Sequence, residues 1–361
     1  MFNLSKLTTK LPSLILTTSL LILPLTACNG GKTTNGNTTG ENSQTTNSRL
    51  EIVKQRGNLI CGVNGEVPGF SFVDEKGQYS GLDVDVCRAI AAALFGDATK
   101  VEYRKLSAQE RFSAVQSGEV DVLSRNTTWT LSRDTANGME FAPTVFYDGQ
   151  GLMVTKASGV SNIEGLAGKS ICVLAGTTTE QNLADQMRKR GVKNYNPVVS
   201  DDVDTLYAAY QEGRCEGVTA DRSQLVARRS ILPKPDDHVI LDVVLSKEPL
   251  GPAVKNGDSA WFDAVKWITF ALFEGEELGI TSQNVDKFET SEDPNVRRFL
   301  GLDDKLGEGM GLPNNFATSI IKQVGNYGEI YDRNIGKPLG LERGPNKLWT
   351  DGGLLYSPPF R

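Results

Sequence analysis

Histidine is almost missing from this sequence: His238 is the single one among 361 residues. One histidine excludes metal sites built from several histidines and leaves one candidate for a histidine-based catalytic triad. Basic residues are also in the minority, with 38 Lys and Arg against 44 Asp and Glu, and they form no run. A basic surface is therefore not expected, and nucleic acid is excluded from the predicted partners.

Length and composition indicate a folded chain of two domains. Hydrophobic residues make up 39% of the sequence and 37 glycines add about a tenth more, which is normal for globular proteins. A chain of 361 residues exceeds the usual size of one domain.

Residues 1–27 are interpreted as an export signal and not as part of the fold. The apolar stretch at 11–25 is too short and too interrupted for a membrane span of about 20 residues. It leads into Leu25-Thr26-Ala27-Cys28, which resembles a bacterial lipobox and implies cleavage before a lipidated Cys28. An ordinary secretory signal with a chance cysteine is the alternative. The polar segment that follows predicts a flexible linker, so 28–48 is assigned to the lipidated cysteine and its tether.

Four further cysteines indicate an oxidising compartment. An even number of cysteines in an exported chain favours two disulfides, and four cysteines allow three pairings. We predict Cys61 with Cys87 and Cys172 with Cys215, each pair within its own domain. Four buried free thiols are the alternative.

Short β-type runs alternate with helical patterns, which predicts an α/β protein. The first series has strands at 59–63, 100–104 and 120–123 and helices at 83–95 and 108–117. The second has strands at 170–174, 195–199 and 217–219 and helices at 178–190 and 202–212. After Pro252 the pattern is mainly helical, with candidates at 261–273 and 315–335.

Two extended stretches, 144–154 and 238–254, can carry the chain between the two series. We therefore expect lobe 1 to comprise 49–151 plus 250–361 and lobe 2 to comprise 152–249. Each lobe would hold a mostly parallel sheet flanked by helices, and a two-strand hinge would let the lobes close on a ligand.

Polar side chains follow the predicted strands at their carboxyl ends, which is where ligands bind in open α/β sheets. Arg133 can hold a carboxylate through two parallel N–H···O bonds, and Asp221 can accept from an ammonium group. Thr128 and Thr178 add hydroxyls, and Thr177 opens a helix whose N-terminus suits an anion. Together they match an α-amino acid. From spacing alone, however, Arg133 and Asp134 could be a surface pair, and Asp221 could cap the next helix.

The sequence resembles the polar amino-acid solute-binding proteins of ABC transporters (family 3), and within them the general L-amino-acid-binding subgroup. The resemblance covers nearly all of 58–358. It is carried by CGVN at 61–64, GLDVD at 81–85, RF at 111–112, QSGEVDVLSRNTTWT at 116–130, GTTTE at 176–180, SKEPLGPAV at 246–254, QVGNYGE at 323–329 and LWTDGGL at 348–354.

This resemblance implies a two-lobed periplasmic-binding-protein fold and gives the site residues their roles. The family's carboxylate-binding arginine falls on Arg133 and its ammonium-binding aspartate on Asp221. Further ligand contacts fall on Asn126, Thr128 and Thr178.

The chain departs from the family at two positions. Val67 and Ala108 stand where many relatives carry aromatic residues, which implies a roomier side-chain pocket. We expect Glu66 and Glu110 to be solvated, and an influence on the pocket is the alternative for both. We expect Trp129 to belong to the core, and a place in the pocket wall is the alternative.

The function implied by the resemblance is capture of free L-amino acids by a lipid-anchored periplasmic monomer for delivery to ABC permease subunits, with no cofactor, metal or catalysis. An enzyme of the same fold, such as a periplasmic dehydratase, would need a placed acid or base, and no second titratable pair stands out at these loops. A ligand-sensing module is the third possibility, although no signalling domain is fused to the chain.

Overall fold

The computed structural model describes residues 48–361, so the predicted signal, Cys28 and nearly all of the linker lie outside the described residues. The strands are β1 Leu59–Val63, β2 Glu66–Val67, β3 Ser71–Val73, β4 Tyr79–Ser80, β5 Val101–Lys105, β6 Val122–Leu123, β7 Met139–Phe141, β8 Phe146–Asp148, β9 Gln150–Thr155, β10 Ser170–Leu174, β11 Asn196–Ser200, β12 Gly217–Asp221, β13 His238–Ile240, β14 Glu248–Leu250 and β15 Ala253–Lys255. The α-helices are α1 Arg49–Arg56, α2 Leu82–Phe95, α3 Arg111–Ser117, α4 Leu131–Thr135, α5 Thr178–Lys189, α6 Val203–Gln211, α7 Arg222–Ser230, α8 Ser259–Glu277, α9 Pro294–Phe299, α10 Leu306–Gly309, α11 Phe316–Gln323, α12 Tyr327–Tyr331 and α13 Lys337–Leu339.

Two five-stranded sheets organise the described chain. The first has the order β5-β1-β6-β15-β7 and the second β11-β10-β12-β9-β13. In each sheet the first three strands are parallel, and the next two join them with antiparallel pairing. The chain passes from the first sheet to the second and later returns. Strand β9 is its first strand in the second sheet, and β15 is its first strand after the return to the first sheet. The structure thus confirms the two-lobed α/β fold.

The central strands β1 and β10 are nearly uniformly buried, because helices cover the parallel part of each sheet. Helix α2 packs on β1, and helices α5 and α6 pack on β10. The carboxyl ends of these strands, and of β6 and β12 beside them, carry the loops that form the site described below.

The two lobes are joined by an antiparallel strand pair. Strand β8 pairs with β14, which places Asp148 opposite Glu248. The two strands lie within the predicted crossings 144–154 and 238–254, and we call this pair the hinge. The exact lobe boundaries remain predictions.

The predicted long helix at 315–335 is interrupted. Helix α11 ends before Gly325, whose φ of 90° is a left-handed conformation that favours glycine. Asn326 then starts α12 with a capping box: its side chain accepts from the Glu329 amide, and the Glu329 carboxylate accepts from the Asn326 amide. A glycine followed by a strong N-cap overrides the continuous apolar pattern.

The C-terminal region reaches the hinge. Asn346 is buried, and its side-chain oxygen accepts a hydrogen bond from the Tyr147 amide of β8 at 2.6 Å. The Tyr327 hydroxyl donates to the Val145 carbonyl at 2.7 Å. These contacts join the C-terminal region to β8 and to the residue just before it.

Both predicted disulfides are present in the structure. Cys61 of β1 is bonded to Cys87 of α2, and Cys172 of β10 is bonded to Cys215 just before β12. Each bond therefore ties a central strand to a neighbouring element of its own lobe. Within residues 48–361, no helix has both the length and the apolar character needed to cross a membrane.

Candidate functional site

A cavity lies between the lobes where the carboxyl ends of β1, β6, β10 and β12 converge. Together with the solvent-filled opening next to it, this cavity contains about 390 Å³ of space not occupied by protein atoms. All five residues predicted from the sequence line it, namely Arg133, Asp221, Thr128, Asn126 and Thr178. Its other lining residues are Asn64, Arg111, Arg125, Leu174, Thr177, Thr179, Ala220 and Gln224.

The loop after β6 is held in an unusual conformation at Asn126, whose φ is 34°. The Asn126 amide donates to the buried carboxylate of Asp83 at 2.8 Å, and its side-chain oxygen accepts from Asn64 at 3.2 Å. Burial raises the pKa of Asp83 to about 6, although the Asn126 amide and the nearby Arg125 oppose the rise. Asp83 therefore positions the loop that carries Asn126 and Thr128.

Arg133 is buried, which excludes the interpretation as half of a surface pair. It lies on the short helix α4, which Thr130 caps by accepting from the Arg133 amide at 3.3 Å. One guanidinium nitrogen donates to the Thr128 carbonyl at 2.7 Å. Burial lowers the pKa of Arg133, and the carboxylates of Glu248 and Asp221 oppose this shift.

Asp221 is also buried and does not cap α7 through its side chain, so the helix-cap interpretation is wrong. Burial raises the pKa of Asp221 well above its usual value, and the charges of Asp148 and Glu248 raise it further. Arg133 is the main positive charge that opposes this shift. An ammonium group entering the cavity would relieve the same unfavourable environment.

The start of α5 forms the second-lobe wall. Thr177 caps the helix by accepting from the Glu180 amide at 3.2 Å, as its spacing predicted. The Glu180 carboxylate accepts from the Gly176 amide instead of the Thr177 amide. The Thr178 hydroxyl lies 3.4 Å from that of Thr128, so the two lobes meet directly across the cavity.

Glu248 is a residue that the sequence reasoning missed. This hinge carboxylate is 1% exposed and accepts from Thr128 of the first lobe at 2.6 Å and from Thr178 of the second at 2.8 Å. Asn182 donates to its other oxygen at 2.9 Å, and Ser246 donates to that oxygen as well. The sequence feature that could have indicated it is a carboxylate in the stretch 238–254, which has few charged residues and carries the chain back to the first lobe. With Asp148, Glu248 supplies the titratable groups near Asp221 that the loop sequences alone did not reveal.

Further contacts keep the cleft closed. The buried carboxylate of Glu66 accepts from the Val203 amide at 3.0 Å, and the Glu66 carbonyl accepts from Arg228 at 2.9 Å. Gln109 donates to Asp201 at 3.3 Å. The expectation of a solvated Glu66 is therefore wrong: it joins the start of α6 in one lobe to β2 in the other.

The cavity is not lined by Glu110, Trp129, Val67 or Ala108. Glu110 is exposed, as expected. Trp129 is 44% exposed and stacks on Phe141 at 5.9 Å, so it is not a core residue, and it lies outside this cavity. Val67 and Ala108 are buried but are not among the lining residues, so they do not form the pocket wall that the resemblance implied.

The cavity presents a cation from the first lobe opposite a carboxylate from the second, with hydroxyl groups between them. Such an arrangement can bind a small zwitterion by both ends. Among residues 48–361, no group of His, Cys, Asp and Glu side chains has the arrangement of a metal site.

Comparisons with known proteins agree on one family. Residues 59–284 match the bacterial extracellular solute-binding proteins, family 3. The chain is 52% identical over 316 residues to the general L-amino acid-binding periplasmic protein AapJ of Rhizobium johnstonii, covering 86% of this chain and 92% of that protein. It is 48% identical to the glutamate/glutamine/aspartate/asparagine-binding protein BztA of Rhodobacter capsulatus, covering 87% and 94%. A solved periplasmic binding protein from Brucella ovis, with glutathione bound, superposes with a TM-score of 0.85 at 50% identity and covers 87% of this chain and 100% of that one.

Proposed function

This chain belongs to the bacterial extracellular solute-binding proteins of family 3, and from that membership and the geometry of the cavity we propose that it captures free L-amino acids in the periplasm for an ABC permease. The relatives AapJ and BztA are both amino-acid-binding proteins by name. In this proposal the lobes close over the ligand, and the closed form is what the permease receives.

One observation carries the proposal: Arg133 and Asp221, buried in opposite lobes, line the same closed cavity. We assign the α-carboxylate to Arg133 and the α-ammonium to Asp221, with Asn126, Thr128 and Thr178 as additional contacts. Each buried charge then acquires a partner from the ligand, and only a molecule carrying both groups satisfies both lobes.

Calorimetry with modified ligands tests the assignment. Free L-amino acids should bind, whereas amino-acid amides and N-acetyl amino acids should bind poorly, because each lacks one of the two charges. Equal affinity for free and blocked amino acids would contradict the proposal.

A γ-glutamyl peptide is a second candidate ligand. The Brucella ovis structure holds glutathione, a tripeptide whose γ-glutamyl end retains a free α-amino and α-carboxyl group. The same pair of charged residues could hold that end. Glutathione therefore belongs in the same titration series, with S-methylglutathione to separate binding from thiol chemistry.

We also propose that the mature protein is a monomer anchored to the membrane through acylated Cys28, since Leu25-Thr26-Ala27-Cys28 resembles a lipobox. Two acyl chains give firm anchoring. Replacing Cys28 by Ser should move the protein from the membrane fraction to the soluble periplasmic fraction. An equally membrane-bound variant would contradict the anchor and leave the ligand assignment untouched.

Binding without catalysis is the favoured interpretation. Both oxygens of Glu248 are engaged by side-chain donors of the protein, which suits a structural role better than that of a general base. Prolonged incubation of the purified protein with its ligands, followed by mass spectrometry, should return them unchanged.

A further inference from the structure

We infer that Glu248 is a positioning residue, one that links the binding of a ligand to the closure of the lobes. In the closed protein its carboxylate holds two threonine hydroxyls that line the cavity, Thr128 from the first lobe and Thr178 from the second. Release of the ligand would require these bonds to break. The inference rests on the proposed function, because it assumes that the cavity binds a free amino acid.

A single oxygen atom of Glu248 bridges the two lobes. Its Oε2 accepts from the Thr128 hydroxyl at 2.6 Å and from the Thr178 hydroxyl at 2.8 Å. Thr128 lies in the loop after β6 of the first sheet, and Thr178 begins α5, which packs on β10 of the second sheet. If the lobes separate, one of the two bonds is lost, whichever lobe Glu248 follows. The two bonds therefore exist together only in the closed form.

The other oxygen of Glu248 is fixed by the protein. Its Oε1 accepts from the Asn182 amide group at 2.9 Å, and the Ser246 hydroxyl donates to the same atom. Since Glu248 is buried, these donors and the two threonines replace the water that an ionised carboxylate would otherwise need. The carboxylate is thus held between the lobes in one orientation, and movement of either lobe would remove part of this compensation.

Glu248 acts through the two threonines, because it is not itself one of the described residues that line the cavity. Each threonine hydroxyl has one hydrogen, and Thr128 and Thr178 both donate theirs to Glu248. Each hydroxyl oxygen keeps lone pairs with which it can accept a bond from the ligand. Closure therefore presents two oriented acceptors in the cavity that Asp221 also lines, and an ammonium group has the donors to match them.

Asp148, which lies opposite Glu248 in the hinge, is bonded on one side only. In the described part of the chain, its Oδ1 accepts from the Gly149 amide at 2.8 Å and its Oδ2 from the Ser223 amide at 3.2 Å, with the Ser223 hydroxyl as a further donor. Gly149 adjoins β9 and Ser223 lies on α7, so these donors belong to the hinge and the second lobe. Of the two hinge carboxylates, Glu248 is the one that contacts both lobes.

Calorimetry and stopped-flow mixing with L-glutamate, L-glutamine and L-alanine test this inference. Glu248→Gln keeps the length of the side chain but removes its charge, whereas Glu248→Asp keeps the charge but is one methylene too short to reach both lobes. Both variants should bind all three amino acids about tenfold or more weakly, as expected for lost hydrogen bonds to a charged group. The loss should appear as faster dissociation with nearly unchanged association, because the ligand enters the open form, in which the bridge is absent.

Two further variants keep the result interpretable. Glu212→Gln makes the same change at an exposed residue of the second lobe and should bind and release the amino acids as the wild type does. Asn182→Ala removes one donor to Glu248 without altering its charge, and it should speed dissociation by a smaller factor than Glu248→Gln. Thermal unfolding shows which variants are folded. If neither Glu248 variant folds, unchanged dissociation in a folded Asn182→Ala would refute the inference.

The outcomes separate this inference from the proposed function. Normal dissociation in folded Glu248→Gln and Glu248→Asp would overturn the role of Glu248 while leaving amino-acid capture intact. A loss in Glu248→Gln alone would also overturn it, because the charge and not the bridge would then matter. Slower association with unchanged dissociation would contradict it as well, since Glu248 would then act on the open form. A wild type that binds none of the three amino acids would refute the proposed function itself, and the inference with it.

Discussion

The two sheets have the same strand arrangement but present opposite charges to the cleft. The second strand of the parallel part is β1 in one sheet and β10 in the other, and β6 and β12 occupy the position beside them. The loops after β6 bring Arg125 and Arg133, whereas β12 ends in Asp221. The shared topology therefore places loops from both lobes at one cleft, and a few residues of these loops give the two sides of the cleft opposite charges.

The largest expected effect comes from removing the first lobe's cation. Arg133→Ala should lose roughly 2–5 kcal/mol of amino-acid binding free energy, the range for truncating one partner of a buried charged contact. Because Arg133 also offsets the negative charges of Asp221 and Glu248, unfolding in the absence of ligand should become easier. Calorimetry and thermal unfolding measure the two effects. A variant that binds amino acids normally would show that the carboxylate is held elsewhere.

The disulfides allow each lobe to be destabilised separately. The residues joined are 26 apart in the first lobe, Cys61–Cys87, and 43 apart in the second, Cys172–Cys215. Loop-closure entropy gives losses of about 3.5 and about 4 kcal/mol of unfolding free energy when the respective pairs are replaced by Ala. Denaturant unfolding measures the total, and hydrogen exchange should locate the loss in the lobe whose bond was removed. A loss spread equally over both lobes would show that they unfold as one unit.

The sequence was sufficient for elements whose signal is local. The strand 59–63 and the helix start at Thr178 are found where periodicity and capping residues placed them. The break before Asn326 was not predicted, because the apolar helical pattern continues on both sides of Gly325.

The sequence predicted only those site residues that lie in the segment after a predicted strand. Arg133 lies in the segment that follows the predicted strand at 120–123, and Asp221 lies just after the predicted strand at 217–219, so both could be assigned to the cleft. Glu66 and Glu248 are distant from these loops in the sequence, and their importance depends on lobe closure and on the pairing of β8 with β14. Such contacts leave no periodic signal, and Glu66 was consequently expected in solvent.

Removing the second lobe's carboxylate should have two effects of opposite sign. Asp221→Asn should lose about 1–3 kcal/mol of binding, since its amide oxygen still accepts a hydrogen bond but the charge is gone. Asp221 is buried beside Asp148 and Glu248, whose negative charges make its ionised form unfavourable in the empty protein. A carboxylate whose pKa is raised by folding loses its stabilising contribution as pH rises through that pKa, so at neutral pH the ligand-free variant should melt at a higher temperature.

The two measurements on Asp221→Asn are made on the same preparation, with Asp185→Asn, an exposed position on α5, as the matched control. A lower melting temperature together with weaker binding would indicate that Asp221 stabilises the empty protein. It would then resemble Arg133 in its effect, and the contrast between the lobes would fail.

The smallest effect concerns buried carboxylates outside the ligand contacts. Asp148 in the hinge and Asp83 in the first lobe both have pKa values raised to about 6, mainly by burial. In the unfolded chain each would ionise near 3.8. Between these values the folded protein holds more protons, so each residue makes the protein less stable as pH rises, by about 1 kcal/mol between pH 5 and 7.

Asp148→Asn should remove its share of this slope and leave that of Asp83. Denaturant unfolding at several pH values measures the slope, whatever the variant's absolute stability. An unchanged slope would mean that the Asp148 carboxylate, despite its bonds from Ser223 and Gly149, is as well solvated as in the unfolded chain.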